Sequence, residues 1–333
     1  MRILIASDAW PPQVNGVVRT LKSILPELEA TGHAVTTLTP DMFANVPCPF
    51  YPEIRLAFGV ARPAAALIER AQPDAIHIVT EGPLGFAVRR WCVDHGVGFT
   101  TAYHTRFPEY LAARCAIPSR VTYGVLRYFH APARGIMVAT ESMRAALAAK
   151  GFRNLRPWSR GVDPAKFNPD YRQEDIGFPR PIFLSVGRVA LEKNLPAFLD
   201  LDLPGSKLVV GEGPQLERLK RKYPEVHFLG RIENGALARL YASADVFVFP
   251  SRTDTFGLVL LEALASGLAV AAFPVPGPLD VIGDSGVGVL SEDLGSAALA
   301  ALDVRRDACR AYALKFTWAH CARQFVELLS VGR

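Results

Sequence analysis

Two cationic side chains in the second half of the sequence are placed to meet an anion. Arg188 and Lys193 flank a turn that follows the apolar run Pro181–Val186. Arginine makes forked contacts with phosphate oxygens, and lysine acts as a compact point charge. Both side chains beside one turn would suit a diphosphate, although an isolated Arg-x4-Lys is more often a solvated loop.

The stretch 250–267 carries the strongest chemical signal. Asp254 precedes a predicted apolar helix, Leu258–Ala265, and Glu262 lies within that helix. The first turn of a helix leaves backbone N–H groups free; here they lie near Phe256, Gly257 and Leu258. A carboxylate in an apolar run is costly unless a partner meets it. Sugar or ribose hydroxyls are suitable partners for Glu262, and the competing interpretation is an ion pair at the helix surface.

Turns after other strands add weaker candidates. Gly16 begins a predicted helix after the opening strand, and a helix N-terminus favours phosphate. Its surroundings match neither G-x-G-x-x-G nor a Walker motif, so from these residues alone a tight turn is an equally good interpretation. Gly211-Glu212-Gly213-Pro214 lacks the third glycine of a dinucleotide fingerprint and is interpreted as a structural turn. Glu81, between the strand Ala75–Val79 and a predicted helix, is a further candidate for contact with a ligand.

The elements that position these residues alternate between strand and helix. Strands are predicted at Arg2–Ser7, Ala34–Thr39, Ala75–Val79, Phe99–Tyr103, Gly135–Ala139, Pro181–Val186, Lys207–Val210, Val226–Leu229, Asp245–Phe249, Leu268–Ala272 and Gly288–Leu290. Such alternation predicts parallel sheets, and ligands bind beyond the carboxyl ends of their strands. We therefore expect an α/β protein with two doubly wound domains facing a cleft. The predicted domains are 1–170 and 171–310, joined by the polar stretch 171–180, and a C-terminal helix in 311–333 is expected to pack back on the first domain.

The composition favours a globular, reduced, cytosolic protein. Of the 333 residues 50% are apolar and 21% are charged, which suits two domains with substantial cores. The five cysteines show no C-x-x-C spacing, and the seven histidines lack metal-type spacing, so neither a disulfide framework nor a metal site is predicted. The apolar window Gly257–Val275 contains Glu262 and Pro274 and is interpreted as buried core, not as a membrane span. No export signal is predicted after Met1.

Positive charge is concentrated in the first half. Residues 1–170 carry a net charge of +6 and the remainder −1, and 106–160 hold ten basic residues against two acidic ones. Basic residues alternate there with apolar ones, as in Arg120-Val121 and Arg127-Tyr128. Such segments attach to anionic bilayers, at about 1 kcal/mol per Lys or Arg near the surface. A core-packed helix with a solvated basic face fits equally well, and no nucleic-acid-binding motif is present.

Over essentially its whole length the sequence resembles glycosyltransferase family 4, retaining enzymes of the GT-B fold, and within it α-mannosyltransferases and relatives that glycosylate lipids. The most specific element is the E-x7-E motif, here Asp254-x7-Glu262 followed by Ala-Leu-Ala-Ser-Gly. The supporting segments are Asn15-Gly16-Val17-Val18, Tyr103-His104-Thr105, Arg160-Gly161-Val162-Asp163 and Gly187-Arg188-x4-Lys193-Asn194. The sequence departs from the family at Asp254, where glutamate is usual, and at Asn15, where many members carry glycine.

The resemblance implies a donor site. Gly16 would contact the donor phosphate through its backbone, and Arg188 and Lys193 would neutralise the diphosphate. Asp254 would hold hydroxyls of the donor sugar, helped by the backbone of 256–258. The shorter reach of aspartate at this position would alter the choice of sugar.

The resemblance also implies contacts to the nucleoside and the acceptor. Glu262 would hold the ribose, and the backbone at Ile232 would meet the base. His104 would lie beside the donor sugar near the acceptor, with Glu81 and Arg106 as further acceptor-side candidates.

These assignments predict a metal-independent, retaining hexosyltransferase without a cofactor. The donor would be a nucleotide sugar of the GDP-mannose or UDP-glucose/UDP-glucuronate type. The acceptor would be a hydroxyl of a diacylglycerol or glycolipid, met by a peripheral protein on an anionic membrane, at the cytosolic face of the inner membrane. No nucleic-acid or protein partner is implied.

Two other classes remain open from the sequence. A nucleotide-sugar epimerase of the same fold would turn over donor without an acceptor. A non-catalytic nucleotide-sugar-binding protein or a nucleic-acid-binding module is the other alternative, and the presence of Arg188, Lys193 and Glu262 opposes a dead site.

Overall fold

The computed structural model describes residues 1–13, 15–48, 51–104, 118–232, 234–254 and 256–330. Two compact units make up the chain. Unit 1 comprises Met1–Arg160 and Trp318–Arg333, and unit 2 comprises Gly161–Thr317. Among the described helices, none combines the length and the apolar character needed to cross a membrane.

The chain passes between the units at 160/161 and 317/318, not at the expected 170/171 and 310/311. The reason is that the segment after Arg160 bonds to unit 2. The backbone N–H of Val162 donates to the Phe316 carbonyl at 2.8 Å, and Arg310 Nη1 donates to the Phe167 carbonyl. Residues 161–170 therefore belong with the second sheet.

Eight strands are described in unit 1, six of them in one parallel sheet. They are β1 (Arg2–Ala6), β2 (Ala34–Leu38), β3 (Asn45–Cys48), β4 (Tyr51–Ala57), β5 (Ala75–Ile78), β6 (Thr100–Tyr103), β7 (Gly135–Val138) and β8 (Leu155–Pro157). The parallel sheet has the order β2-β1-β5-β6-β7-β8, and β3 and β4 form an antiparallel pair. The direction of the sheet order reverses at β1 and β5, which is where ligands bind in such folds.

Helices cover the sheet of unit 1. The described ones are α1 (Gly16–Ala30), α2 (Ala61–Ala71), α3 (Pro83–Asp94), α4 (Ser119–His130), α5 (Glu141–Ala149) and, from the end of the chain, α13 (Trp318–Ser330). Helix α1 begins where Asn15 accepts a hydrogen bond from the Val18 N–H, and it buries Leu21, Ile24 and Leu28 at helical spacing.

The C-terminal helix α13 is part of the unit 1 core. Phe325 is fully buried and packs in one cluster with Ile5, Leu21 and Trp158. Trp158 Nε1 also donates to the Cys321 carbonyl at 3.1 Å. The end of the chain is thus bound to unit 1 by apolar packing and by a buried hydrogen bond.

Unit 2 repeats the parallel α/β arrangement. Its strands are β9 (Ile182–Val186), β10 (Ser206–Val210), β11 (His227–Gly230), β12 (Val246–Phe249), β13 (Ala269–Ala272) and β14 (Gly288–Leu290), in the order β11-β10-β9-β12-β13-β14. The described helices are α6 (Pro196–Leu199), α7 (Leu216–Lys222), α8 (Asn234–Ser243), α9 (Leu258–Ala265), α10 (Pro276–Val281), α11 (Leu294–Ala300) and α12 (Arg306–Ala313). Every predicted strand is present, with ends that differ by at most one residue.

Three strands were not predicted. Strands β3 and β4 form the antiparallel pair, and Pro47 interrupts the apolar pattern of β3. Strand β8 has three residues, ends in Pro157 and lies at the edge of the sheet. Short edge strands with proline carry little apolar periodicity, so the sequence pattern does not reveal them.

Candidate active site

The site in unit 2 lies where the sheet order reverses, between β9 and β12. Arg188 and Lys193 follow β9, and Asp254 follows β12. Because the helices after these neighbouring strands lie on opposite faces of the sheet, the two turns leave a crevice at the carboxyl edge. The sequence prediction that these residues lie just after strands is confirmed.

Backbone contacts hold the turn after β9. The Val189 N–H donates to the Glu212 carbonyl at 2.8 Å. A Cβ atom on Gly211, where φ is +138°, would lie 1.9 Å from the Gly187 carbonyl oxygen. Glycine is thus required there for close packing, which supports the structural interpretation of the Gly211–Pro214 turn.

The turns after β9 and β12 are bonded to each other. Asn194 adopts the left-handed conformation with φ +52°, and its side-chain amide donates to the Pro250 carbonyl at 3.1 Å. Ser251 Oγ donates to the Glu192 carbonyl at 3.3 Å. These bonds hold the two chemically important turns together.

Lys193 and Asp254 form an ion pair. Lys193 Nζ lies 2.7 Å from Asp254 Oδ1 and 2.8 Å from Oδ2. The two side chains are 28% and 23% exposed, so both retain access to solvent. The sequence analysis gave these residues separate roles, and the structure brings them together.

Arg188 is exposed, and it lines the same pocket as Lys193. It contributes to a small pocket in the crevice whose lining is Ser185, Val186, Gly187, Arg188, Lys193, Leu195, Val209, Phe249, Pro250 and Ser251. A guanidinium and an ammonium thus line the same pocket, an arrangement able to receive a phosphate group.

Helix α9 begins beside Asp254. Gly257 is its N-cap, with φ +80° and no side-chain capping bond, while Phe256 is buried and Leu258 is half-buried. A Cβ atom on Gly277 would lie 2.8 Å from the Asp254 carbonyl oxygen, so α10 packs directly against this turn. Uncapped N–H groups at the start of a helix are available to an anion or a hydroxyl.

Glu262 is buried, with 4% exposure, inside α9. The competing interpretation as a surface ion pair is therefore wrong. Its Oε2 accepts a hydrogen bond from Tyr241 Oη at 3.2 Å, and Tyr241 is itself fully buried. Sequence reasoning did not identify Tyr241. Ile232 is half-buried after β11 in the same unit.

Three other predicted residues lie at the carboxyl edge of the unit 1 sheet. Gly16, Glu81 and His104 follow β1, β5 and β6. Among the described residues, apart from the chain neighbours and the helix's own backbone, no atom lies within 4 Å of a Cβ built on Gly16, so packing against them does not require glycine there. Arg106 lies outside the described residues.

Asp8 joins the turns after β1 and β5. Its carboxylate accepts hydrogen bonds from the backbone N–H groups of Leu84 and Gly85, at 2.9 and 3.1 Å. Burial raises the pKa of Asp8, and these hydrogen bonds oppose the shift. Asp8 thus holds the start of α3, next to Glu81, against β1.

Glu81 is paired with a buried histidine. His130 Nε2 lies 3.2 Å from Glu81 Oε1, and His130 Nδ1 lies 2.8 Å from Thr101 Oγ1. The sequence analysis gave His130 no role, because the histidines lack metal-type spacing. The structure shows that it orients Glu81.

His104 contacts a buried arginine. Arg160 Nη2 lies 3.2 Å from His104 Nδ1. Burial, with the charge of Arg160 as the next cause, lowers the pKa of His104 well below its ordinary value of 6.5. Nearby His77 is fully buried, and burial lowers its pKa to about 3. Both imidazoles are therefore neutral at physiological pH.

Comparison with known proteins identifies the family. A family model described as Glycosyltransferase Family 4 matches residues 14–166, and one described as Glycosyl transferases group 1 matches 180–307. A GDP-mannose-dependent alpha-mannosyltransferase from Mycolicibacterium smegmatis is 30% identical over 319 residues, covering 87% of this chain and 84% of the relative. The chain is a family 4 glycosyltransferase.

This glycosyltransferase is also similar to an alpha-monoglucosyldiacylglycerol synthase from Streptococcus pneumoniae, with 31% identity over 91% of this chain and 78% of the relative. Sucrose-phosphate synthase from Thermosynechococcus elongatus superposes with a TM-score of 0.78 at 22% identity, covering 98% of each chain. The structural likeness shows the fold. The two Rossmann-like parallel-sheet domains of GT-B, expected from the sequence, are confirmed.

Proposed function

We propose that this glycosyltransferase moves a hexose from a nucleoside diphosphate sugar to a hydroxyl group of a membrane lipid. Transfer proceeds with retention and without a metal ion. The observation that carries the proposal is the placement of Arg188, Lys193 and Asp254 together at the switch point of unit 2. The names of two relatives, one dependent on GDP-mannose and one a glucosyldiacylglycerol synthase, support the donor and acceptor classes.

The cations act on the leaving group. As the bond between the sugar and the phosphate breaks, negative charge develops on the diphosphate, and fixed positive groups stabilise it without reorganising. We assign Arg188, Lys193 and the N–H groups at the start of α9 to this task. Asp254 holds sugar hydroxyls, and its bond to Lys193 keeps its carboxylate oriented.

No base on the protein is needed to remove the proton of the acceptor hydroxyl. In a front-face substitution the departing phosphate oxygen accepts the proton of the acceptor hydroxyl. The sugar–phosphate bond breaks as the new glycosidic bond forms on the same face. Glu262 and the backbone at Ile232 are assigned to the ribose and the base.

The donor test uses Arg188→Ala and a matched control, Arg305→Ala, which removes a 78% exposed arginine of the same unit. Wild-type protein should be stabilised by one of GDP, UDP or ADP in a thermal-shift panel. The Arg188→Ala variant should lose this shift and about a hundredfold in kcat/KM, since one stabilising group for the transition state is removed. Turnover near wild type in Arg188→Ala would contradict the assignment.

Stereochemistry, metal use and acceptor dependence are tested in the same assay. We expect an α-linked product from an α-linked donor by NMR, and unchanged activity in excess EDTA. An inverted product or loss of activity with EDTA would overturn those parts of the proposal. Turnover of the donor without acceptor would instead favour the epimerase.

Helix α4 supports a membrane-bound acceptor. Its inner face buries apolar residues, whereas Val121, Val125 and Tyr128 are 57%, 49% and 63% exposed. Their spacing of four and three residues places them on one outer face. Arg120 and Arg127 are on the same helix, so an apolar face accompanied by positive charge is available to anionic lipid.

The membrane test is vesicle sedimentation at low salt. Wild-type protein should bind anionic vesicles more than neutral ones, and Val121→Asp/Val125→Asp should reduce binding, because charge replaces the inserting groups. Val46→Asp, at a 48% exposed valine on β3, is the control. Equal binding to both vesicle types would remove the membrane argument.

A further inference from the structure

Arg160 is a charged side chain that is buried. It is 5% exposed, and its guanidinium donates to the backbone carbonyls of Trp158 and Ser159 at 2.8 and 3.0 Å. The guanidinium carbon also lies 4.4 Å from the centre of the Trp158 ring. Arg160 Nη2 also lies 3.2 Å from His104 Nδ1.

This contact determines where the imidazole proton lies. A guanidinium has five N–H donors and no acceptor. Burial lowers the pKa of Arg160 only to about 10, so the group remains protonated at neutral pH. His104 Nδ1 must therefore accept the hydrogen bond, and the single proton of the neutral ring is on Nε2.

We propose that Arg160 is a positioning residue, which holds His104 neutral with its proton on Nε2, so that His104 serves the reaction as a hydrogen-bond donor and not as a general base. This inference rests on the proposed function only for the presence of His104 at the reacting sugar. The tautomer itself follows from the contact with Arg160.

The alternative forms of His104 are unfavourable. If His104 were an imidazolium, its Nδ1–H would face an N–H of Arg160, and two positive charges would lie side by side. A ring protonated on Nδ1, which a base acting through Nε2 would need, loses its bond to Arg160 and leaves two donors facing each other.

The groups around His104 also oppose protonation of its ring. Within the described part of the chain, the titratable groups that act on it are Arg160, His77 and His130, and Glu81 is bonded to His130. The Nε2 atom of His104 is shielded from solvent, so charging the ring would also cost solvation. His104 therefore stays neutral well into the acidic range.

His104 thus has a specific role in the proposed mechanism. A fixed Nε2–H can donate a hydrogen bond to an oxygen that reaches it, whereas it cannot remove a proton. This agrees with a reaction in which the leaving phosphate oxygen takes the acceptor proton.

The primary test is ¹⁵N NMR of the full chain labelled at histidine, with the His104 signals assigned by their loss in His104→Gln. We expect a protonated Nε2 and an unprotonated Nδ1, unchanged between about pH 5 and pH 8. Protonation on Nδ1, or titration in this range, would overturn the proposal. Because no turnover is measured, this result is independent of the proposed function.

Two variants test whether Arg160 is the cause. Arg160→Met removes the donor and the charge, so His104 should show both tautomers and a pKa closer to 6.5. Arg160→Lys keeps a donor and should preserve the wild-type form. A wild-type His104 spectrum in folded Arg160→Met would contradict the role of Arg160, and if that variant does not fold, the wild-type spectrum still decides the tautomer.

Kinetics separate donation from general-base action. Glutamine places an amide N–H near the position of Nε2, so His104→Gln should retain at least about tenfold more kcat than His104→Ala. The wild-type pH profile should show no acidic limb from His104, because the ring remains neutral between about pH 5 and pH 8. Equal kcat in His104→Gln and His104→Ala would contradict donation.

Discussion

At the scale of single residues, the Lys193–Asp254 pair joins two motifs whose paired residues are 61 positions apart in the sequence. Both side chains retain about a quarter of their exposure, so solvent screens their attraction. Pairs of this kind contribute about 1 kcal/mol or less to stability. The pair is better suited to orienting a carboxylate and an ammonium for a ligand than to stabilising the fold.

Lys193→Met and Asp254→Asn should therefore lower activity strongly while changing stability little. We expect the free energy of unfolding to change by about 1 kcal/mol or less in urea titrations. In contrast, kcat/KM should fall roughly a hundredfold, because Lys193→Met removes charge stabilisation at the leaving group and Asp254→Asn weakens the contact with the sugar hydroxyls. Large destabilisation with normal activity of the folded fraction would show that the pair is structural.

At the scale of elements, two helices begin at glycines for different reasons. Gly257, the N-cap of α9, has φ +80°, and a Cβ atom there would lie 3.1 Å from Leu260 Cδ1. At Gly16, the start of α1, no described residue outside its own helix and its chain neighbours comes within 4 Å of the Cβ position. The backbone conformation requires glycine at position 257. At position 16, glycine would be required only if a ligand approached the backbone closely.

Alanine at these two positions should give different results. Gly257→Ala should cost about 1–2 kcal/mol, since the left-handed conformation strains any residue with a Cβ. Gly16→Ala should change stability by less than about 0.5 kcal/mol yet weaken the binding of the nucleoside diphosphate. Thermal denaturation and donor titration measure the two effects, and unaltered donor affinity in Gly16→Ala would remove Gly16 from the donor site.

At the scale of the whole molecule, the chain returns to its first unit after completing its second. Helix α13 supplies Phe325 to the core of unit 1, where its ring centre lies 4.9 Å from that of His77 and 5.2 Å from that of Trp158. The stability of unit 1 therefore depends on the last segment of the sequence.

Phe325→Ala should destabilise unit 1 selectively. Removing a fully buried phenylalanine typically costs about 3–5 kcal/mol. Hydrogen exchange should accelerate in β1, β5 and α1, and much less in unit 2. Leu314→Ala, at a 45% exposed leucine of unit 2, is the control, and equal acceleration in both units for Phe325→Ala would contradict the assignment of α13.

The sequence by itself determined the local elements and the turns that carry chemistry. Parallel strands buried on both faces appear as short continuous apolar runs, so β9, β12 and β13 could be predicted within one residue. The helix Leu258–Ala265 has the predicted bounds, because its apolar run ends at Ser266-Gly267. Motif spacing then placed Arg188, Lys193 and Asp254 after strands, and family membership is confirmed.

Only the tertiary structure decided which of these residues act on one another. The ion pair of Lys193 with Asp254, the burial of Glu262 against Tyr241 and the contact of Arg160 with His104 all join distant segments. Hydrogen bonds and burial depend on where the strands lie in the sheet, and strand order is not encoded in local periodicity. The sequence analysis predicts that the C-terminal helix packs on the first domain, and the tertiary structure identifies Phe325 and Cys321 as residues that make this contact.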